Sequence, residues 1–228
     1  MPQLQDFRPP LVAILRGLEA QRAAEVGKVL FDAGFRILEV PLNRPGALEC
    51  IASLAAMAPP DALIGGGTML TRADVDAVRY AGGRLMVSPN CNPGVIKHAV
   101  AAGMLTAPGI ATATEAFAAL EAGAHALKLF PAEVLGTSGM KALISVLPPG
   151  TPLWPVGGVT PQSIAPWVRA GATGFGIGGQ LFQPGVRLTA VGDAAREFIA
   201  AWFEAASASA SASASASASA SASASASV

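Results

Sequence analysis

FRILEVPLNRPGALECIASLAAM, residues 35–57, places a strand and a helix in immediate succession. Residues 35–40 (FRILEV) form a short run in which Leu38 and Val40 share one face and Ile37 and Glu39 the other. Pro45 then opens residues 46–57, whose apolar positions recur at helical spacing.

The same unit recurs on both sides of this stretch. Upstream, residues 11–16 (LVAILR) precede a helical segment at 19–33 that Gly34 ends. Downstream, a strand at 62–65 leads to a helix from 72 to 81, and its opening Thr71-Arg-Ala-Asp74 is a capping-box pattern. Strand 84–88 is followed by Asn92-Pro93, an N-cap and first helical residue, with the helix reaching Ala102. Strand 104–107 is followed by Thr112-Ala-Thr-Glu115 and a helix ending at Gly123. The remaining strands are 125–130 (HALKLF), 153–156 and 173–177, with helices near 138–147, from Thr160-Pro161 to Ala170, and at 188–206. Eight strand-helix units specify a parallel sheet covered on both faces. They fit a compact, single-domain (β/α)8 TIM barrel over residues 1–206 better than the alternative, an open doubly wound sheet.

Of the 228 residues, 207–227 alternate Ser and Ala before the final Val228 and contain no charge, Gly, Pro or aromatic residue. Such a segment cannot contribute a core. Alanine favours helix while serine competes for the backbone, so a short helical extension is open, but it has no apolar face to dock. The expectation is a low-complexity tail, disordered or artefactual. Charge is balanced, with 15 basic and 15 acidic residues and no like-charge block, which argues against a nucleic-acid or anionic-membrane surface. The uncharged stretch 142–168 holds six Pro and three Gly, unlike a spanning helix. Residues 1–10 lack an apolar signal region, so a cytoplasmic location is expected. Cys50 and Cys91 make no disulfide framework and read as core residues, with a reactive thiol at Cys91 as the alternative.

In a (β/α)8 barrel, function gathers at the carboxyl ends of the strands. If the Leu and Val faces of strands two and six pack on helices, Glu39 and Lys128 both point at the axis, from opposite sides of the ring. An ammonium among apolar neighbours loses hydration and its pKa falls; the neutral amine so favoured is a nucleophile toward carbonyls, and a nearby carboxylate can relay protons. A buried structural ion pair is the competing reading. Arg16 is in phase with Val12 and Ile14, and Thr68 follows Gly65-Gly66-Gly67. The two suit a substrate carboxylate, although Arg16 could pair with Glu39 and Thr68 could serve a turn. Pro89 closes strand four as a turn or a contact. Gly157-Gly158 and Gly178-Gly179 follow the last two strands, where backbone amides can approach a phosphate. His98 and His125 are not spaced as a metal pair, and no metal is expected.

These residues sit in stretches that resemble the 2-keto-3-deoxy-6-phosphogluconate and 2-keto-3-deoxy-6-phosphogalactonate aldolases, pyruvate-dependent class I lyases. The matching stretches are AILRG (13–17), LEVPLN (38–43), IGGGTML (64–70), SPN (88–90), PGIATATEA (108–116), ALKLFPAE (126–133) and PVGGVTP (155–161), in family order. The resemblance implies a Schiff base on Lys128 and acid/base catalysis by Glu39. It further implies that Arg16 and Thr68 hold the carboxylate, Phe130 and Pro89 wall the pyruvyl part, and the two glycine pairs bind phosphate. No metal or organic cofactor is implied, and a homotrimer is. The partner that the resemblance implies is a phosphorylated keto-deoxy sugar acid. Pro41-Leu42-Asn43, where the phosphogluconate branch reads Thr-Leu-Arg, is similar to the phosphogalactonate branch, with Arg16 replacing the missing arginine. Relatives often carry Ser after the glycine of the last strand, whereas Gly179 and Gln180 follow Gly178 here, leaving the phosphate to backbone amides. A phosphosugar isomerase or synthase, and a non-catalytic sugar-phosphate binder, are the rival functions.

Overall fold

The computed structural model describes residues 4–225. Its strands are β1 (Leu11–Ile14), β2 (Ile37–Pro41), β3 (Leu63–Gly67), β4 (Leu85–Val87), β5 (Leu105–Ala107), β6 (Gly109–Ile110), β7 (Leu127–Leu129), β8 (Leu153–Pro155) and β9 (Phe175–Ile177). Between them lie α1 (Ala23–Asp32), α2 (Ala47–Met57), α3 (Arg72–Tyr80), α4 (Pro93–Ala101), α5 (Ala113–Glu121), α6 (Ala132–Ile144) and α7 (Pro161–Arg169), and α8 (Leu188–Ser225) follows β9. Short 3-10 turns occupy Leu4–Asp6 and Ala20–Arg22.

The helix starts form as their sequences dictate. Thr71 accepts from the Asp74 N–H and Asp74 answers to the Thr71 N–H; Thr112 and Glu115 do the same on α5, and Thr160 and Ser163 on α7. Asn92 accepts from the N–H groups of Gly94 and Val95, with Pro93 as the first helical residue. One helix differs from expectation: α6 begins at Ala132, and Gly136 interrupts it at φ 64° and ψ 175°, a conformation open to glycine. The helix expected from residue 138 is the part beyond that break.

All strand pairs are parallel, giving an α/β fold. Six strands form a sheet in the order β5-β4-β3-β2-β1-β9, and three form another in the order β6-β7-β8. Pro108, which has no N–H for a ladder, separates β5 from β6, and its carbonyl accepts from the Lys128 N–H at 2.9 Å. Val156, just beyond β8, forms a parallel bridge with Gly176 of β9.

Side-chain alternation divides the core in two. Leu11, Ala13, Leu38, Val40, Leu127 and Leu129 belong to the cluster that packs against helices, and Val12, Ile37 and Ala126 to a second cluster on the opposite sheet face. Trp154 joins the second cluster, with Leu4 and Phe7 from the N-terminal segment packed into it. The phase assigned to strands β2 and β7 from sequence therefore holds.

On α8 the buried positions Val191, Ala195, Phe198, Trp202 and Ala205 form one stripe, and Trp202 meets Phe175 edge to face at 6.1 Å. The stripe ends where the Ser-Ala alternation begins. Of the two states open to that alternation, the backbone takes the helical extension through Ser225, because α8 is already nucleated and alanine propagates it at little cost. Among the described residues no helix is long and apolar enough to cross a membrane.

Candidate active site

Glu39 lies in the middle of β2, opposite Ile14 of β1 and Gly65 of β3, while Lys128 is the central residue of β7. Both share the sheet face of the second core cluster, above Val12, Val87, Ala107 and Trp154. Glu39 is 1% exposed and Lys128 9%. Burial raises the Glu39 carboxyl from its ordinary 4.5 to about 7, against the opposing pull of the Lys128 charge. Burial likewise lowers the Lys128 ammonium, with Glu39 opposing. Among the described residues no ion pair joins them, and the ion pairs at Lys28–Asp32, Arg36–Asp61, His98–Asp76 and Arg196–Asp193 lie elsewhere. The contact ion pairs open to Lys128 or Arg16 with Glu39 are thus not formed. Lys128 Nζ sits 4.9 Å from the Phe130 ring centroid, and Glu39 Oε2 has no hydrogen-bond partner.

A cleft of about 690 Å³ opens above this pair. It brings together the residues assigned a catalytic or substrate-binding role from sequence: Arg16, Glu39, Thr68, Pro89, Lys128, Phe130, Gly157, Gly158, Gly178 and Gly179. Arg16 follows β1 and is exposed at the mouth. Thr68 is the one non-glycine residue at positive φ among those described, at 54°. A β-branched residue held there costs about 1–3 kcal/mol, and the neighbours that hold it include the buried Met69, whose N–H donates to the Val87 carbonyl.

The glycine loops close the other side. Gly157 and Gly158 have φ of 111° and 64°, and α7 starts just beyond them. The Leu181 and Phe182 N–H groups donate to the Gly178 carbonyl, and Gln183 Nε2 donates to the Gly179 carbonyl at 3.0 Å. Among the described residues no acceptor takes the N–H of Gly158 or Gly179, so these donors are available to an anion. Glu133 also lines the cleft and was missed from sequence: a Cβ on Gly158 would meet its Oε2 at 2.8 Å. Its place two residues beyond Pro131, at the mouth-side end of β7, was the available signal. Asn43, Val156 and Gln183 line the cleft as well.

Other candidates lie elsewhere. Cys50 is buried and its thiol donates to the Leu18 carbonyl, and Cys91 is half-buried with its thiol pushed up by burial. His98 pairs with Asp76, and His125 Nδ1 accepts from the Thr106 N–H.

The chain matches the family model for KDPG and KHG aldolases over residues 7–195. It is 46% identical to the 2-dehydro-3-deoxy-6-phosphogalactonate aldolase of Escherichia coli (strain K12), covering 86% of this chain and 96% of that protein. It is also 46% identical to the probable enzyme of that name from Rhizobium meliloti (strain 1021), covering 86% and 92%. A solved structure titled "Native KDPGal structure" superposes with a TM-score of 0.86 at 43% identity, covering 88% of this chain and 97% of that one. The chain belongs to the KDPG and KHG aldolase family.

Proposed function

We propose that this member of the KDPG and KHG aldolase family is a class I lyase that cleaves 2-keto-3-deoxy-6-phosphogalactonate to pyruvate and D-glyceraldehyde 3-phosphate. The observation that carries the reading is the pair Lys128 and Glu39, buried on one floor, unpaired, and both shifted toward their neutral forms. The neutral Lys128 amine attacks the C2 carbonyl, and the carbinolamine loses water with a proton from Glu39 to leave an iminium. Glu39 then takes the proton of the C4 hydroxyl. The C3–C4 bonding electrons pass to the iminium, and the aldehyde phosphate leaves. Protonation of the resulting enamine at C3 and hydrolysis release pyruvate and restore Lys128. A carboxyl near 7 suits both directions of transfer at neutral pH.

In this reading Arg16 and Thr68 hold the substrate carboxylate, and Phe130 and Pro89 wall the pyruvyl group. Gly157, Gly158, Gly178 and Gly179 hold the phosphate through backbone amides, and no metal or organic cofactor takes part. The two sheets are taken as one closed (β/α)8 barrel in a single domain over residues 1–206. The interruption at Pro108 alone and the Val156–Gly176 bridge support that closure. A cytoplasmic homotrimer completes the proposal, with exposed Leu70, Phe117 and Val134 supplying apolar surface for contacts between subunits.

Incubation with pyruvate followed by borohydride tests the chemistry: mass spectrometry should find the reduced adduct on Lys128, and no adduct, or one on another lysine, would refute it. The substrate branch rests on Pro41-Leu42-Asn43, of which Pro41 and Asn43 line the cleft. The second reading, the same cleavage of the C4 epimer or of both, is decided by kcat/KM for each epimer.

A further inference from the structure

The three glycines of β3 have different neighbours. A Cβ on Gly65 would meet the Leu85 carbonyl oxygen at 2.0 Å, and one on Gly66 would meet Val78 and Met69 of the core at 2.6 and 2.9 Å. On Gly67 it would fall 1.5 Å from Glu39 Oε2, 2.5 Å from Glu39 Cδ and 2.8 Å from Glu39 Oε1, its three nearest atoms. Gly67 is not at positive φ, so its backbone does not itself require glycine. The side chain missing at position 67 is replaced in space by the carboxyl of Glu39.

We propose that Gly67 is a positioning residue for the catalytic carboxyl, its bare Cα forming the seat on which Glu39 rests. The seat offers Oε2 a C–H surface and no hydrogen-bond donor, and Oε2 is buried without a partner. Its accepting capacity is therefore left for a proton on the substrate or on a water molecule in the cleft. A donor at this place would stabilise the carboxylate and pull the group back toward its ordinary acidity, which an acid/base working near neutrality cannot use. The proposal rests on the reading of Glu39 as acid/base in the lyase reaction.

Gly67→Ala tests it. An oxygen 1.5 Å from the new carbon must retreat to ordinary contact, a displacement that takes the carboxyl off its seat without changing its chemistry. A misplacement of about 1 Å can cost about 100-fold in rate, so kcat should fall about 100-fold with KM within about 3-fold. Borohydride trapping of pyruvate on Lys128 should persist. The decisive comparison uses Glu39→Asp, whose carboxyl is one methylene shorter and does not reach the seat. In that background Gly67→Ala should change kcat by less than about 2-fold. A further loss of about 100-fold there, or full activity of Gly67→Ala alone, would overturn the seat.

Stability provides a readout independent of turnover. Gly67→Ala should lower the urea midpoint in the wild-type background and leave it unchanged in Glu39→Ala, where the seat is empty. An equal drop in both backgrounds would assign the cost to other neighbours and overturn the proposal. If instead wild-type protein fails to trap pyruvate on Lys128, the lyase reading fails, while this stability comparison still reports whether Glu39 occupies the seat.

Discussion

Replacing Glu39 by Gln should make the protein more stable and less active, with the stability gain dependent on pH. The carboxyl carries a folded-state pKa of about 7 against an ordinary 4.5. Below 4.5 it is protonated in both folded and unfolded chains and contributes no pH-dependent cost. Between the two values the folded protein keeps a proton that the unfolded chain releases, so stability falls as pH rises. Above about 7 the cost is complete. At 1.36 kcal/mol per pH unit it amounts to about 3 kcal/mol, mostly desolvation with the Lys128 attraction already set against it. Gln has similar volume and no charge to desolvate, so the variant should exceed wild type by under about 1 kcal/mol at pH 5 and about 3 kcal/mol at pH 8. In urea this moves the midpoint at pH 8 upward by on the order of 1 M. Turnover should fall by about 10²–10⁴, the usual contribution of a positioned acid/base, while phosphorylated substrate still binds. A variant whose stability advantage does not grow with pH would refute the desolvated carboxyl. Undiminished turnover would refute its part in proton transfer.

Gly158→Ala places a Cβ 2.8 Å from Glu133 Oε2 at a φ of 64°. It should raise KM for the phosphorylated substrate by about 10-fold, while trapping of unphosphorylated pyruvate on Lys128 stays unchanged; steady-state kinetics and adduct yield separate the two effects. Thr71→Ala removes the acceptor for the Asp74 N–H and should cost about 1 kcal/mol in urea unfolding with no kinetic effect, since α3 contributes no cleft residue. Truncation after Ala206 leaves the whole buried stripe of α8 and should preserve activity and thermal midpoint, whereas Trp202→Ala should cost about 3–5 kcal/mol by emptying the contact with Phe175. A substantial loss of activity on that truncation would show that the Ser-Ala segment supports the site.

The site was legible in sequence to the extent that it depends on strand phase. Leu38 and Val40, and Leu127 and Leu129, signal the helix-facing side, and a period of two then turns Glu39 and Lys128 the other way. Thr68 was found by its place after a glycine run, but its left-handed backbone was not, because the chain there is tied across the fold, with Met69 buried and its N–H donating to the Val87 carbonyl. Glu133 was overlooked because its role as a cleft wall depends on where the Gly157-Gly158 loop comes to rest, and that loop belongs to a different unit of the fold.

Sequence alone determined the alternation of strands and helices, the caps that start α3, α4, α5 and α7, and the faces on which Glu39 and Lys128 lie in their strands. All of these are set by neighbours within a few residues, through backbone periodicity and short-range hydrogen bonds. The single strand expected at 104–107 is instead β5 followed, beyond Pro108, by β6. Tertiary structure decided that Arg16, Glu39, Thr68 and Lys128, widely separated along the chain, line one cleft, and that Glu39 stays buried without an ion-pair partner. It also decided why Gly67 is glycine. The register of β2 against β3 brings a carboxyl from one strand over the Cα of the next, and a clash across strands leaves no trace in local periodicity.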